Sequence, residues 1–207
     1  ATPSAAPCGA LTAAVSAVLG IAHFAYRTQS SMVRADAIQK LEALSHLEVD
    51  AIARWLEQRR GDAAVLARDP LRRLGLARWL ETRDAEDAGN LEEALAILRG
   101  SQSYHGVALV DPSGNLLLGD EQARSDMPEF RNAVARAGTG TRVVFLDLHK
   151  RPDGSIHMAW LAPIYDPEMT RGEPLAIAVL DMDSATWLNP FLAAWPMPSR
   201  TGENALV

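Results

Sequence analysis

The order of extended runs between Tyr104 and Asp183 constrains this chain most. Gly106-Val107-Ala108-Leu109-Val110 is followed by the turn Asp111-Pro112-Ser113-Gly114-Asn115 and the run Leu116-Leu117-Leu118. Proline after aspartate, with glycine two places on, supplies the φ values a tight turn needs, so the pair reads as a β-hairpin. A helix is predicted over roughly 127–137. Three strands are predicted after it, at 141–149, 156–165 and 174–183. The loop Lys150-Arg151-Pro152-Asp153-Gly154-Ser155 joins the first two. Strand, strand, helix, strand, strand, strand suits a sheet with a helix on one face. It lacks the strand–helix alternation of a doubly wound parallel fold.

Upstream, residues 28–60 contain neither proline nor glycine. Ala37, Ile38, Leu41, Leu44, Ile52, Trp55 and Leu56 share one side at 100° per residue, and Gln39, His46, Asp50 and Glu57 lie opposite, the pattern of an amphipathic helix. Such a helix is ~50 Å long at 1.5 Å per residue. That exceeds what a small sheet can cover, so the same helix of a second subunit is the expected partner. Gly61-Asp62 is expected to break the rod, with Asp62 capping a short helix to Arg68. Asp69-Pro70 stops that helix, because the residue before proline is pushed out of the α region. Helices are expected at 71–80 and 91–99, with a charged loop at 83–90 between them.

Residues 8–26 carry no formally charged side chain. Their length approaches the ~20 residues that span a bilayer, and Phe24, Tyr26 and Arg27 resemble an interfacial end. A membrane helix is expected there, with a signal-peptide core or a buried helix as the alternatives. The chain opens on Ala1 and closes on the strand-like Asn204-Ala205-Leu206-Val207, so a longer natural protein is expected. The net charge of −6 at pH 7 gives no basic field for nucleic acid, and no nucleic-acid partner is expected. The single cysteine, Cys8, excludes an internal disulfide.

Alternation separates Val144, Leu146 and Leu148 from Phe145, Asp147 and His149. The first set reads as the core face, and the second puts an aromatic, a carboxylate and an imidazole in a row. In the next strand His157 falls in one set and Trp160 in the other, so they share a face only if a bulge intervenes. Asp181 ends the last strand. Phe145, Asp147, His149, His157, Trp160 and Asp181 are the candidate ligand-binding residues. Imidazole and carboxylate also suit a divalent metal, but the spacing matches no metal motif, and no metal or other cofactor is expected. No Gly-x-Ser-x-Gly elbow, phosphate-cradling loop or His-Glu-x-x-His occurs, so no enzyme activity is expected of this segment.

Several pieces, taken in order, resemble a known family. Residues 41–66, with Ile52-Ala53-Arg54-Trp55-Leu56-Glu57-Gln58-Arg59-Arg60-Gly61-Asp62, look like the long leading helix of bacterial extracytoplasmic Cache (PAS-like, PDC) sensor domains. Val107-Ala108-Leu109-Val110-Asp111-Pro112-Ser113-Gly114 is similar to their first hairpin. Asp147-Leu148-His149, Ile156-His157, Ala162-Pro163, and Ala178-Val179-Leu180-Asp181-Met182-Asp183 leading into Leu188-Asn189-Pro190 also fit. Trp195-Pro196-Met197-Pro198-Ser199-Arg200-Thr201-Gly202-Glu203 resembles the exit segment of versions attached to histidine kinases and diguanylate cyclases. The resemblance implies an α+β fold within the α/β class, a long N-terminal helix on a PAS-like antiparallel sheet. It implies a lead and transmembrane helix over 1–27, a sensor domain over 28–195 and an exit linker over 196–207 that begins a following segment. It further implies an inner-membrane receptor with a periplasmic sensor that binds a small molecule and dimerises through the long helix. The ligand side is the sheet face away from that helix. A module that senses a protein partner instead is the alternative.

Overall fold

No proline interrupts the chain between Pro7 and Pro70. In the computed structural model this stretch is one helix, α1, Ala6–Arg68, of 63 residues. The structure describes residues 6–102, 104–168, 172–186 and 188–193, with side chains described at 16, 18–101, 104–168, 172–186 and 188–190. Trp187 and the expected exit linker at 196–207 lie outside the described residues. The expected break at Gly61 does not occur. A single glycine costs a helix about 1 kcal/mol and does not end it when the flanking turns are held. Asp62 is therefore no cap. It pairs with Arg59 at 3.2 Å and accepts the Tyr104 hydroxyl at 2.9 Å. Burial, then Asp62 itself, pushes the Tyr104 hydroxyl well above its ordinary pKa.

The chain forms two compact units, Ala1–Trp55 and Leu56–Val207. In the first, the expected stripe is only part-covered: Leu44 and Ile52 are half-buried, while Ile38 and Leu41 remain 57% and 46% exposed. Leu47, Val49, Val33 and Met32 are exposed as well. Among the described residues no helix is long and apolar enough to cross a membrane. The side chains before Ser16, half of the expected span at 8–26, fall outside the described set.

In the second unit Asp69 caps α2, Pro70–Thr82, by accepting from the backbone N–H groups of Leu71 and Arg72. Arg83 ends α2 in the left-handed region at φ 56°. The stretch read as a charged loop is instead the start of α3, Ala85–Gln102, because Asp84 accepts from the N–H groups of Glu86 and Asp87. Arg78 clasps Asp87 and holds its carboxyl below the usual range.

Five strands follow: β1 Gly106–Val110, β2 Leu116–Gly119, β3 Val144–Lys150, β4 Ile156–Ile164 and β5 Ala176–Asp183. They form one antiparallel sheet in the order β2-β1-β5-β4-β3. The expected helix between the hairpins is α4, Pro128–Gly138, and a short α5, Leu188–Ala193, comes after β5. Both sheet faces are buried. On one, Ala108, Val110, Leu146, Ala159, Leu161, Ile177 and Val179 pack with Phe130, Ala133, Val134 and Ala137 of α4. On the other lie Val107, Leu109, Leu118, Met158, Trp160, Ala162 and Leu180, with α3 against β1 and β2. Burial on both sides explains why β1 and β5 read as continuous apolar runs rather than alternating ones.

Candidate functional site

The antiparallel order brings the start of β1, the start of β4 and the end of β5 to one end of the sheet. His157 and Asp181 meet there on the α4 face, with His157 Nδ1 2.8 Å from Asp181 Oδ2. Each residue is only 1% exposed. Arg151, from the β3–β4 loop, places Nη2 2.8 Å from Asp181 Oδ1. The distance makes an ion pair, but the contact falls outside hydrogen-bond geometry, so Asp181 Oδ1 and Arg151 Nε both lack a directed partner. A buried donor such as Arg151 Nε left without a partner costs about 1–3 kcal/mol, while Asp181 Oδ1 keeps its ion pair.

His105 completes the cluster. Its ring stands edge-on to that of His157 with centroids 4.7 Å apart, and its backbone N–H donates to Asp181 O at 2.9 Å. The 3-10 turn Glu121–Ala123 closes the side: Gln122 Nε2 donates to His105 O at 3.1 Å and Arg151 Nη1 to Gln122 O at 2.6 Å. A Cβ on Gly106 would stand 3.0 Å from Ala123 N, so glycine is what lets this turn press onto β1. One donor atom from each of His105, His157 and Asp181 lies within 4.8 Å of the others, a geometry that could hold a metal ion. Asp153 lies beyond, its carboxyl held below the usual range by Ser155, with smaller contributions from His157 and Arg151.

The six residues expected from sequence divide. His157 and Asp181 come together. Phe145 and Trp160 pair with ring centroids 4.5 Å apart, but on the opposite face. β4 stays in register with β5 from His157 to Ile164, so no bulge brings Trp160 round to His157. The irregularity lies in β3 instead, between Leu146 and His149. The expected split of Val144 and Leu146 from Phe145 holds, with Leu146 on the α4 face beside Ala159 and Phe145 beside Trp160 on the other; but His157 and Asp181 lie on the Leu146 face, and past the irregularity His149 stands opposite His157. Asp147 is exposed and accepts the backbone N–H of Leu148 at 2.7 Å. His149 Nδ1 contacts Asp147 O at 3.0 Å. Neither contacts Asp181. A separate cavity of about 300 Å³ runs along Leu148, His149, Ile156 and Leu188. Sequence reading missed His105 and Arg151. The strand order would have found His105, because it puts the residue before β1 beside the end of β5.

No family model and no curated protein matches this chain. Solved structures do. The extracellular domain of vpHK1S-Z8, named as a histidine kinase, aligns over 74% of this chain and 59% of its own, with TM-score 0.55 and 15% identity. The sensor domain of the histidine kinase DctB from Vibrio cholerae covers 78% and 61%, with TM-score 0.53 and 14% identity. The ligand-binding domain of the chemoreceptor Tlp3 from Campylobacter jejuni, in complex with 4-methylisoleucine, covers 72% and 60%, with TM-score 0.51 and 16% identity. The chain thus has the fold of bacterial receptor sensor domains. It spans about 60% of the length of these domains.

Proposed function

We propose that this chain is the extracytoplasmic ligand-sensing part of a bacterial transmembrane receptor of the histidine-kinase or diguanylate-cyclase kind. It acts by binding rather than catalysis. The ligand site is the cluster of Asp181, His157, Arg151 and His105 on the α4 face. The observation that carries this reading is the buried charge pair with two unpartnered atoms, Asp181 Oδ1 and Arg151 Nε. An acceptor and a donor side by side suit a small ligand that carries both an amine and a carboxylate. The 4-methylisoleucine bound by the chemoreceptor domain is of that class. Phe145 and Trp160 support the sheet from its other face, and Asp147 and His149 stand at its rim.

The anchor is the segment at 8–26, which places the sensor in the periplasm on the inner membrane. The exposed apolar residues Ile38, Leu41 and Val49 fit pairing of α1 with α1 of a second copy. A ligand shifts such an assembly only by its differential affinity for two states.

Titration with pools of amino acids, amines and carboxylates, followed by thermal stability, tests the site. A ligand at a hundredfold excess over its Kd adds ~2.7 kcal/mol. Arg151→Gln and Asp181→Asn should each abolish that gain. A stabilising ligand whose effect survives both variants moves the site away. Stabilisation only by a partner protein favours partner sensing. For the dimer, light scattering should give twice the chain mass, reduced to one by Leu41→Asp.

A further inference from the structure

We propose that His105, His157 and Asp181 hold one divalent transition-metal ion of the imidazole-favouring kind, such as zinc, with the fourth position open to solvent. This rests on the assignment of the cluster as the ligand site and names a class of ligand for it. Two imidazoles and a carboxylate are a donor set that zinc accepts. One donor atom of each lies within 4.8 Å of the others. Donor atoms around a single tetrahedral zinc sit about 3.3–3.6 Å apart, given metal–ligand bonds of about 2.0–2.2 Å. The 2.8 Å line from His157 Nδ1 to Asp181 Oδ2 has to open by about half an ångström to make one such edge. The ion takes the place of the hydrogen on that line, and a neutral imidazole then carries its proton on Nε2.

The third ligand is free to move in. His105 is exposed; its backbone is tied through Asp181 O and Gln122, and its ring rests edge-on to that of His157. Arg151 has the outer role that orders a ligating carboxylate: it sits on Asp181 Oδ1 and leaves Oδ2 facing His157. Arg151 and Asp181 offset each other in charge. Asp153, near enough to feel both His157 and Arg151, adds negative charge on the loop side. Nothing in the sequence spacing shows this set, because its members come from the lead-in to β1, from β4 and from β5.

The test uses the untagged 207-residue chain, stripped with a chelator. Co2+ is titrated with visible absorption as the readout, and Zn2+ by calorimetry. One ion per chain and ligand-field bands for Co2+ are expected. His105→Ala, at an exposed position, should lower affinity by about tenfold or more with unchanged circular dichroism. Asp181→Asn should remove binding; if that variant does not fold, His105→Ala decides alone. Asp147→Ala and His149→Ala should change nothing. Absence of stoichiometric binding, or binding that survives His105→Ala, overturns the proposal. The small-molecule titration, repeated in chelator, reads out the sensing role independently: stabilisation there with no metal binding refutes the ion and keeps the sensor.

Discussion

Two turns in this molecule share a backbone and differ in what they are for. Asp111-Pro112-Ser113-Gly114-Asn115 joins β1 to β2, and Arg151-Pro152-Asp153-Gly154-Ser155 joins β3 to β4. In each, the first residue's N–H donates to the fifth residue's carbonyl, at 2.9 and 2.8 Å, and the glycine N–H donates back to the first carbonyl at 2.9 Å. The glycines have φ of 88° and 91°. In the first turn the leading side chain turns inward: Asp111 accepts from Ser113 N, Asn115 N and Asn115 Nδ2. In the second turn Asp153 and Ser155 satisfy each other. That frees Arg151 to reach Gln122 O and Asp181. One turn spends its polar groups on itself, and the other exports a guanidinium to the site. A turn motif read from sequence therefore fixes the backbone, while the side chain at its first position decides whether it is structural or functional.

The comparison breaks first at Arg151. Arg151→Ala strips a buried carboxylate of its counter-charge and should cost about 3 kcal/mol in urea denaturation. Asp111→Ala, at the twin position, loses only local hydrogen bonds and should cost about 1 kcal/mol. Equal costs would erase the distinction. Next come the glycines. An added Cβ meets only ordinary contacts at both positions, Phe130 at 3.9 Å for Gly114 and Lys150 at 4.0 Å for Gly154. Backbone strain alone then acts, so Gly114→Ala and Gly154→Ala should each lose about 1–2 kcal/mol, within about 0.5 kcal/mol of each other. The smallest effect is electrostatic. Burial raises the Asp111 carboxyl, but hydrogen bonds from Asn115, Ser113 and Gly114 outweigh it and hold the folded pKa below the ordinary value of about 4. Its stabilisation is present above that value and fades as pH falls through the depressed one. The melting difference between the native chain and Asp111→Asn should shrink to nothing over that acid range.

Turn chemistry and the succession of strands along the chain were legible in the sequence because proline, glycine and aspartate act within five residues. α4 was legible for the same local reason. Two helix boundaries were not: Gly61 is carried inside α1, and Asp84 caps α3 where a loop was expected. At Gly61 local propensity yields to the flanking turns, whereas at Asp84 a local cap outweighs the charged composition. His157 and Asp181 were named from sequence, and so was the split of Val144 and Leu146 from Phe145, but that split does not carry on to His149, since the irregularity after Leu146 resets the alternation. Edge strands tolerate such a slip because only one neighbour fixes their register. Arg151 was invisible for a different reason: its partner Asp181 lies thirty residues on, beyond any periodicity.

The strand order also governs how the domain is made. β5 is the last strand in the chain and the middle one in the sheet, flanked by β1 and β4. During synthesis two hairpins, β1–β2 and β3–β4, can each close locally, but no strand pairs with both until Ala176–Asp183 has emerged. Until then each hairpin presents a bare edge beside β1 or β4, the kind of edge that pairs with other chains. Joining through β5 closes long loops, which slows folding. Substitutions at Ala178 or Leu180 should therefore retard refolding more than equally destabilising ones at Leu116 or Leu146, and truncation before Ala176 should yield aggregate rather than a smaller soluble domain.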